Sequence, residues 1–204
     1  MNSYKFLYGL LARPIRAVFR IKVTGTENLP KDGKGYLLCA NHTSLLDVFI
    51  IEVSVDRQVK FMAKKELFSV PIVSSFIRAC GAFPVNRGGA DVESIKTTVR
   101  LLEKGDTVGI FPQGTRHSGE DPRETEVKHG VGLISYRAKC GIIPVFIKTK
   151  KRQVKFFRKT EIIIGKPIEY EELGFTDGGK NEYRDVSEHI FRVICDLEEN
   201  GGND

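Results

Sequence analysis

The sequence predicts an α/β fold, a single-domain sandwich with a central, mostly parallel sheet flanked by helices. Three observations carry this. Short apolar runs rich in β-branched and aromatic residues recur along the chain, and helical periodicities separate most of them. The 204 residues suffice for one well-buried core and are too few to expect two. At 41% apolar and 28% charged residues, the composition is that of a globular chain, not a disordered one.

From the N-terminus, Tyr4, Leu7, Tyr8 and Leu11 fall at i, i+3, i+4 and i+7, with Phe6 and Leu10 widening the stripe. Pro14 suits a first helical position, so residues 1–20 read as two short helices, the second carrying Ile15, Val18 and Phe19. Lys5, Arg13, Arg16, Arg20 and Lys22 flank these faces, the composition of helices lying in an anionic membrane surface. The same stripe also suits a helix packed on the core. No apolar run approaches the roughly 20 residues needed to span a bilayer. A signal peptide is not expected, because the 6–12 run is short and no small-x-small site follows.

Residues 21–200 form the folded domain. Strands are expected over 19–23, 36–40, 59–63, 82–85, 107–111, 142–149 and 154–164, and helices over 45–55, 66–80, 91–103 and 131–139. In the third helix Val92, Ile95, Val99 and Leu102 share a face, with Asp91 near the cap and Gly105 just past the end. The last two strands follow one another across Lys150-Lys151-Arg152, which predicts an antiparallel hairpin at the sheet edge. A closing helix over 185–199 turns Val186, Ile190, Val193, Ile194 and Leu197 inward.

The net charge of +6 is unevenly spread. Residues 169–204 hold eleven acidic and three basic side chains, a local −8 that leaves +14 on the remainder. A basic body of this kind meets anions such as lipid head groups, phosphate esters or an acidic carrier protein. Residues 148–159, KTKKRQVKFFRK, interleave cations with Phe156 and Phe157. An exposed basic hairpin, a membrane contact and a nucleic-acid contact are all open readings of that stretch. Cys39, Cys80, Cys140 and Cys195 are widely spaced, and His117, His129 and His189 lack ligand spacing, so neither a disulfide framework nor a metal site is expected.

Chemistry concentrates in two segments. In 41–47, NHTSLLD, His42 follows the strand at 36–40, where α/β folds build sites. Within one helix, His42 and Asp47 would lie about 140° apart. They meet only if His42 precedes the helix and Asp47 lies in its first turn, where the carboxylate can fix the imidazole tautomer and leave the other nitrogen as a base. Ser44-x-x-Asp47 also reads as a helix-capping pattern, and the two roles are compatible. No nucleophile of the chain's own is evident, so a base at His42 would act on a substrate hydroxyl. In 111–116, FPQGTR, Gly114 permits a turn exposing backbone N–H groups, and Arg116 can grip a phosphate bidentately.

Together these segments resemble the lysophosphatidic acid (1-acylglycerol-3-phosphate) acyltransferases among the glycerolipid acyltransferases. The first fits that family's His-x4-Asp motif, and the second its Phe-Pro-Glu-Gly-Thr-Arg motif with Gln113 in place of Glu. Residues 81–87, GAFPVNR, resemble the second motif, and 142–145, IIPV, the fourth, an apolar strand near the acyl site. Met62-Ala63-Lys64-Lys65-Glu66-Leu67 and Lys128-His129-Gly130 extend the match. The resemblance implies an acyltransferase domain over 21–200 in which His42 is base and Asp47 its orienter. Lys64, Arg87 and Arg116 are implied phosphate ligands, and Gln113, Gly114 and Thr115 an acceptor pocket. It implies acyl transfer from an acyl-carrier-protein or coenzyme A thioester to lysophosphatidic acid, with no cofactor and no nucleic acid, peripherally on the cytoplasmic face of the membrane. Another lysolipid or lyso-aminolipid acceptor, a lipid-ester hydrolase and a non-catalytic membrane-binding protein are the alternatives.

Overall fold

Strand runs of alternating packing direction give this chain its frame. A computed structural model describes residues 3–55, 57–85 and 92–200. Among them β1 (Ile21–Thr24), β2 (Tyr36–Ala40), β3 (Val59–Lys64), β4 (Phe83–Val85), β5 (Thr107–Ile110), β6 (Gly141–Thr149) and β7 (Thr160–Ile164) pair into one seven-stranded sheet, ordered β1-β7-β6-β2-β5-β3-β4. Only β6 and β7 pair antiparallel. The helices are α1 (Ser3–Val18), α2 (Asp47–Ser54), α3 (Pro71–Ala79), α4 (Val92–Glu103), α5 (Gly130–Ala138) and α6 (Lys180–Asn200).

β2 is buried at every position and shows how the layers form. Leu37 and Cys39 join a core with Leu102, Ile134, Ile190 and Ile194, beneath α4, α5 and α6. Tyr36, Leu38 and Ala40 join the opposite core with Ile50, Ile51 and Phe19, beneath α1 and α2. The period of two along a strand thus fills both faces, as a parallel sheet covered by helices requires.

Several expectations change. The N-terminal segment is one helix running through Pro14, not two. Pro14 frees the carbonyl of Leu10, a residue 59% exposed, so water can satisfy it. α1 buries Ala12 and packs Ile15 and Val18 against the core, while Arg16 donates to the Val53 carbonyl at 2.6 Å. The expected 66–80 helix divides into a 3-10 helix (Lys65–Ser69) and α3, because Pro71 favours a helix start. The β6–β7 hairpin is not at the sheet edge; β1 pairs parallel outside β7. β7 is also shorter than expected, with 154–159 forming a loop. Asn86, Arg87 and Asp91 lie outside the described residues.

Candidate active site

β2 and β5 are parallel neighbours, with Tyr36 opposite Thr107 and Cys39 opposite Ile110. Their following loops therefore leave the same sheet edge side by side. Asn41 anchors the first loop: its amide donates to the Ile147 carbonyl at 3.1 Å and accepts from the Ile147 N–H at 2.7 Å. That clamp onto β6 sets where the chain turns away at His42. The second loop then holds both backbone groups of His42. The His42 N–H donates to Gln113 Oε1 at 2.7 Å, and the His42 carbonyl accepts from the His117 N–H at 2.8 Å.

The imidazole is fixed as firmly. Its Nδ1 lies 2.9 Å from Asp47 Oδ2, and its face stacks on Phe111 with centroids 3.8 Å apart and planes 10° apart. Phe111 stacks in turn on Phe61, which can lie there only because Gly109 has no side chain; a Cβ would come within 2.1 Å of the Phe61 ring. Asp47 opens α2 and is fully buried. Its Oδ2 also accepts from the N–H groups of Thr43 (2.6 Å) and Ser44 (2.8 Å), and its Oδ1 from the Thr43 hydroxyl (3.3 Å). An oxygen that already accepts from two N–H groups accepts from Nδ1–H as well, which leaves Nε2 a lone pair. The capping reading is only half met. Ser44 Oγ accepts from Leu46 N–H, and the N-cap Leu46 makes no side-chain cap. Asp47 thus organises the loop before the helix and orients His42 together.

His42 lines a cleft of about 510 Å³. Gly114, Thr115, Arg116 and Lys128 form its polar part, and Phe61, Met62, Val85, Ile95, Ile110, Val131 and Ile134 its apolar part. Gly114 adopts φ +69° in the turn, and its own N–H is not left exposed but donates to the Phe111 carbonyl at 2.9 Å. His42 thus stands between a cationic rim and an apolar trough.

The predicted residues divide. His42, Asp47, Gly114, Thr115 and Arg116 come together. Lys64 is exposed at the end of β3 and does not line the cleft. Arg87 lies outside the described residues. Gln113 corrects the expectation of an acceptor-lining side chain. It is 1% exposed and spans from His42 N–H to Thr125 Oγ1 (2.8 Å), which donates to the Pro122 carbonyl. The supporting roles of Phe111, Gly109 and Thr125 were missed, although a glycine inside a strand signals close approach. None of the four cysteines lines the cleft, and burial pushes the Cys140 thiol up to about 12 and those of Cys80 and Cys195 to about 11.

The acyltransferase family model matches residues 20–148, which contain the loops that follow β2 and β5. This chain belongs to the acyltransferase family. A Bacillus subtilis protein named 1-acyl-sn-glycerol-3-phosphate acyltransferase is 35% identical over 198 residues, 96% of each chain. A Streptococcus pneumoniae protein of the same name is 38% identical over 122 residues, a match covering 59% of this chain and 44% of that one. The crystal structure of a 1-acyl-sn-glycerophosphate (LPA) acyltransferase from Thermotoga maritima shares the fold, with a TM-score of 0.67 over 100% of this chain and 85% of that one, at 23% identity.

Proposed function

We propose that this acyltransferase is a 1-acylglycerol-3-phosphate O-acyltransferase, taking an acyl chain from an acyl-carrier-protein or coenzyme A thioester. The carrying observation is the buried Asp47 holding His42 at the lip of a cleft with a cationic rim and an apolar trough. The acceptor hydroxyl gives its proton to His42 Nε2 as its oxygen attacks the thioester carbonyl. Asp47 stabilises the imidazolium through Nδ1–H. Collapse breaks the carbon–sulfur bond, and the imidazolium returns the proton to the leaving sulfur. Arg116, with Lys64 and Arg87 as further candidates, holds the acceptor's phosphate. The acyl chain fits the trough of Phe61, Ile95, Val131 and Ile134.

The same reading places the enzyme peripherally on an anionic membrane. No helix among the described residues is long and apolar enough to cross one. Exposed Arg13, Arg16, Arg20 and Lys22 surround the end of α1, and Leu10 is 59% exposed. Incubation with labelled acyl thioester, with and without lysophosphatidic acid, tests the reaction. Phosphatidic acid formed only with the acceptor is expected; free fatty acid in its place would make the protein a hydrolase.

A further inference from the structure

We infer that the turn joining β6 to β7 is a second membrane-contacting element, in which Lys150, Lys151 and Lys155 meet anionic head groups while Phe157 enters the interfacial layer. The inference rests on the peripheral membrane reading above and names a surface that carries it.

Position is the first argument. β6 runs parallel to β2, with Ala40 opposite Val145, so the end of β6 at Thr149 lies on the edge where His42 follows β2. The loops are joined there: Gly119 N–H donates to the Arg152 carbonyl at 3.1 Å. The turn is joined also to the end of α1. Phe157 N–H donates to the Val18 carbonyl at 2.7 Å, and Phe156 packs on Phe19 with centroids 5.3 Å apart. Leu45, in the loop after His42, is 67% exposed on the same edge. A bilayer meeting this edge would touch the turn, the end of α1 and the approach to the catalytic base together.

The second argument is how the side chains are used. Arg152 is held by Asp121 and Glu198, Lys159 by Glu161, and Arg158 by the Lys150 carbonyl. Lys150, Lys151 and Lys155 are exposed and have no acidic partner among the described residues. Phe156 and Phe157 are 65% and 75% exposed. Phe157 stands at φ +59°, a left-handed conformation that disfavours a bulky side chain, and Lys151 at +57° and Arg152 at +51° share it. Strained backbone that presents an aromatic ring to solvent beside unpaired cations points to a ligand absorbing both. An apolar layer beneath anionic head groups is what a lipid interface offers such a ring and its flanking cations.

The chain has no tryptophan, so Phe157→Trp places a single reporter in the turn. Vesicles containing phosphatidylglycerol should shift its emission to the blue, and lipids brominated on the upper acyl carbons should quench it. Phe157→Ser should weaken partitioning about tenfold, as expected for an apolar ring moved from water. Lys150→Gln, Lys151→Gln and Lys155→Gln should each cost up to about fivefold at low salt. Transfer to detergent-dispersed substrate should be unchanged in all four. Co-flotation with unshifted tryptophan emission, or wild-type partitioning of these variants, would overturn the turn's role and leave the membrane reading standing. No co-flotation at all would defeat both. Lysine variants that bind vesicles normally but lose affinity for acidic acyl carrier protein would reassign the surface to that protein.

Discussion

Asp47 satisfies two loop N–H groups and a hydroxyl besides His42, so its replacement tests more than charge. In Asp47→Asn the amide oxygen can take the place of Oδ2, where it still accepts from the Thr43 and Ser44 N–H groups and from Nδ1–H, but the negative charge that stabilises the imidazolium is gone. A loss on the order of 10² to 10⁴ in kcat is expected. His42→Ala should cost at least about 10² to 10⁴ with circular dichroism unchanged, since the ring lies on a loop; near-normal turnover would refute the base assignment. Gln113 gives a different expectation. Its contacts are with His42 N–H and Thr125, so Gln113→Glu should keep the first bond, redirect the Thr125 hydroxyl and leave the acceptor KM close to wild type. Gln113→Ala strands the His42 N–H and should lower stability by about 1–3 kcal/mol and kcat with it. A large KM change with kcat preserved in either variant would put the side chain back in the acceptor pocket. The His–Asp pairing was legible because five residues around a helix start set it locally. Gln113's role was not, since its partner lies 71 residues away and is fixed only by the β2–β5 register.

Elements were legible where local pattern and burial agree. β2 runs over the expected span, and α2 and α5 differ from expectation by at most two residues at either end. They were misread where tertiary packing overrules local pattern. β7 loses 154–159 because Phe156 and Phe157 are held outward against the end of α1, and β1 takes the edge position assigned to the hairpin. α6 begins at Lys180, earlier than apolar spacing suggests, because Glu182 in its first turn gathers the preceding loop. It accepts from the Thr176 hydroxyl and from the N–H groups of Thr176, Asp177 and Gly178. The Thr176 hydroxyl first, then the Gly178 N–H, holds its carboxyl down to about 2, from an ordinary 4.5. A folded pKa below the unfolded one adds stability that is full above the ordinary value and lost as pH falls toward 2. Glu182→Gln should therefore melt lower than wild type at pH 7, with the difference shrinking through that window. A melting-temperature gap that stays constant from pH 7 to pH 2 would show that the charge contributes nothing.

On the whole-molecule scale, charge is sorted as well as summed. Part of the acidic C-terminal segment is neutralised internally, since Glu198 and Glu199 pair with Arg123, and Glu198 also with Arg152. The exposed cations of α1 and the β6–β7 turn remain to act outward, on the edge that carries His42. Attraction between such cations and a bilayer acts over a screening length of about 10 Å at 0.1 M salt and about 3 Å at 1 M. The apolar contribution of Leu10, Leu45 and Phe157 does not screen in this way. Flotation with phosphatidylglycerol-containing vesicles should therefore fall steeply as salt rises and then level off at a residual bound fraction. With pure phosphatidylcholine that residual fraction should be the whole of the binding, nearly independent of salt. Equal binding to both lipids at every salt would remove the electrostatic part of this account. Complete release from anionic vesicles at 1 M salt would remove the apolar part, leaving the exposed phenylalanine and leucines without a role at the membrane.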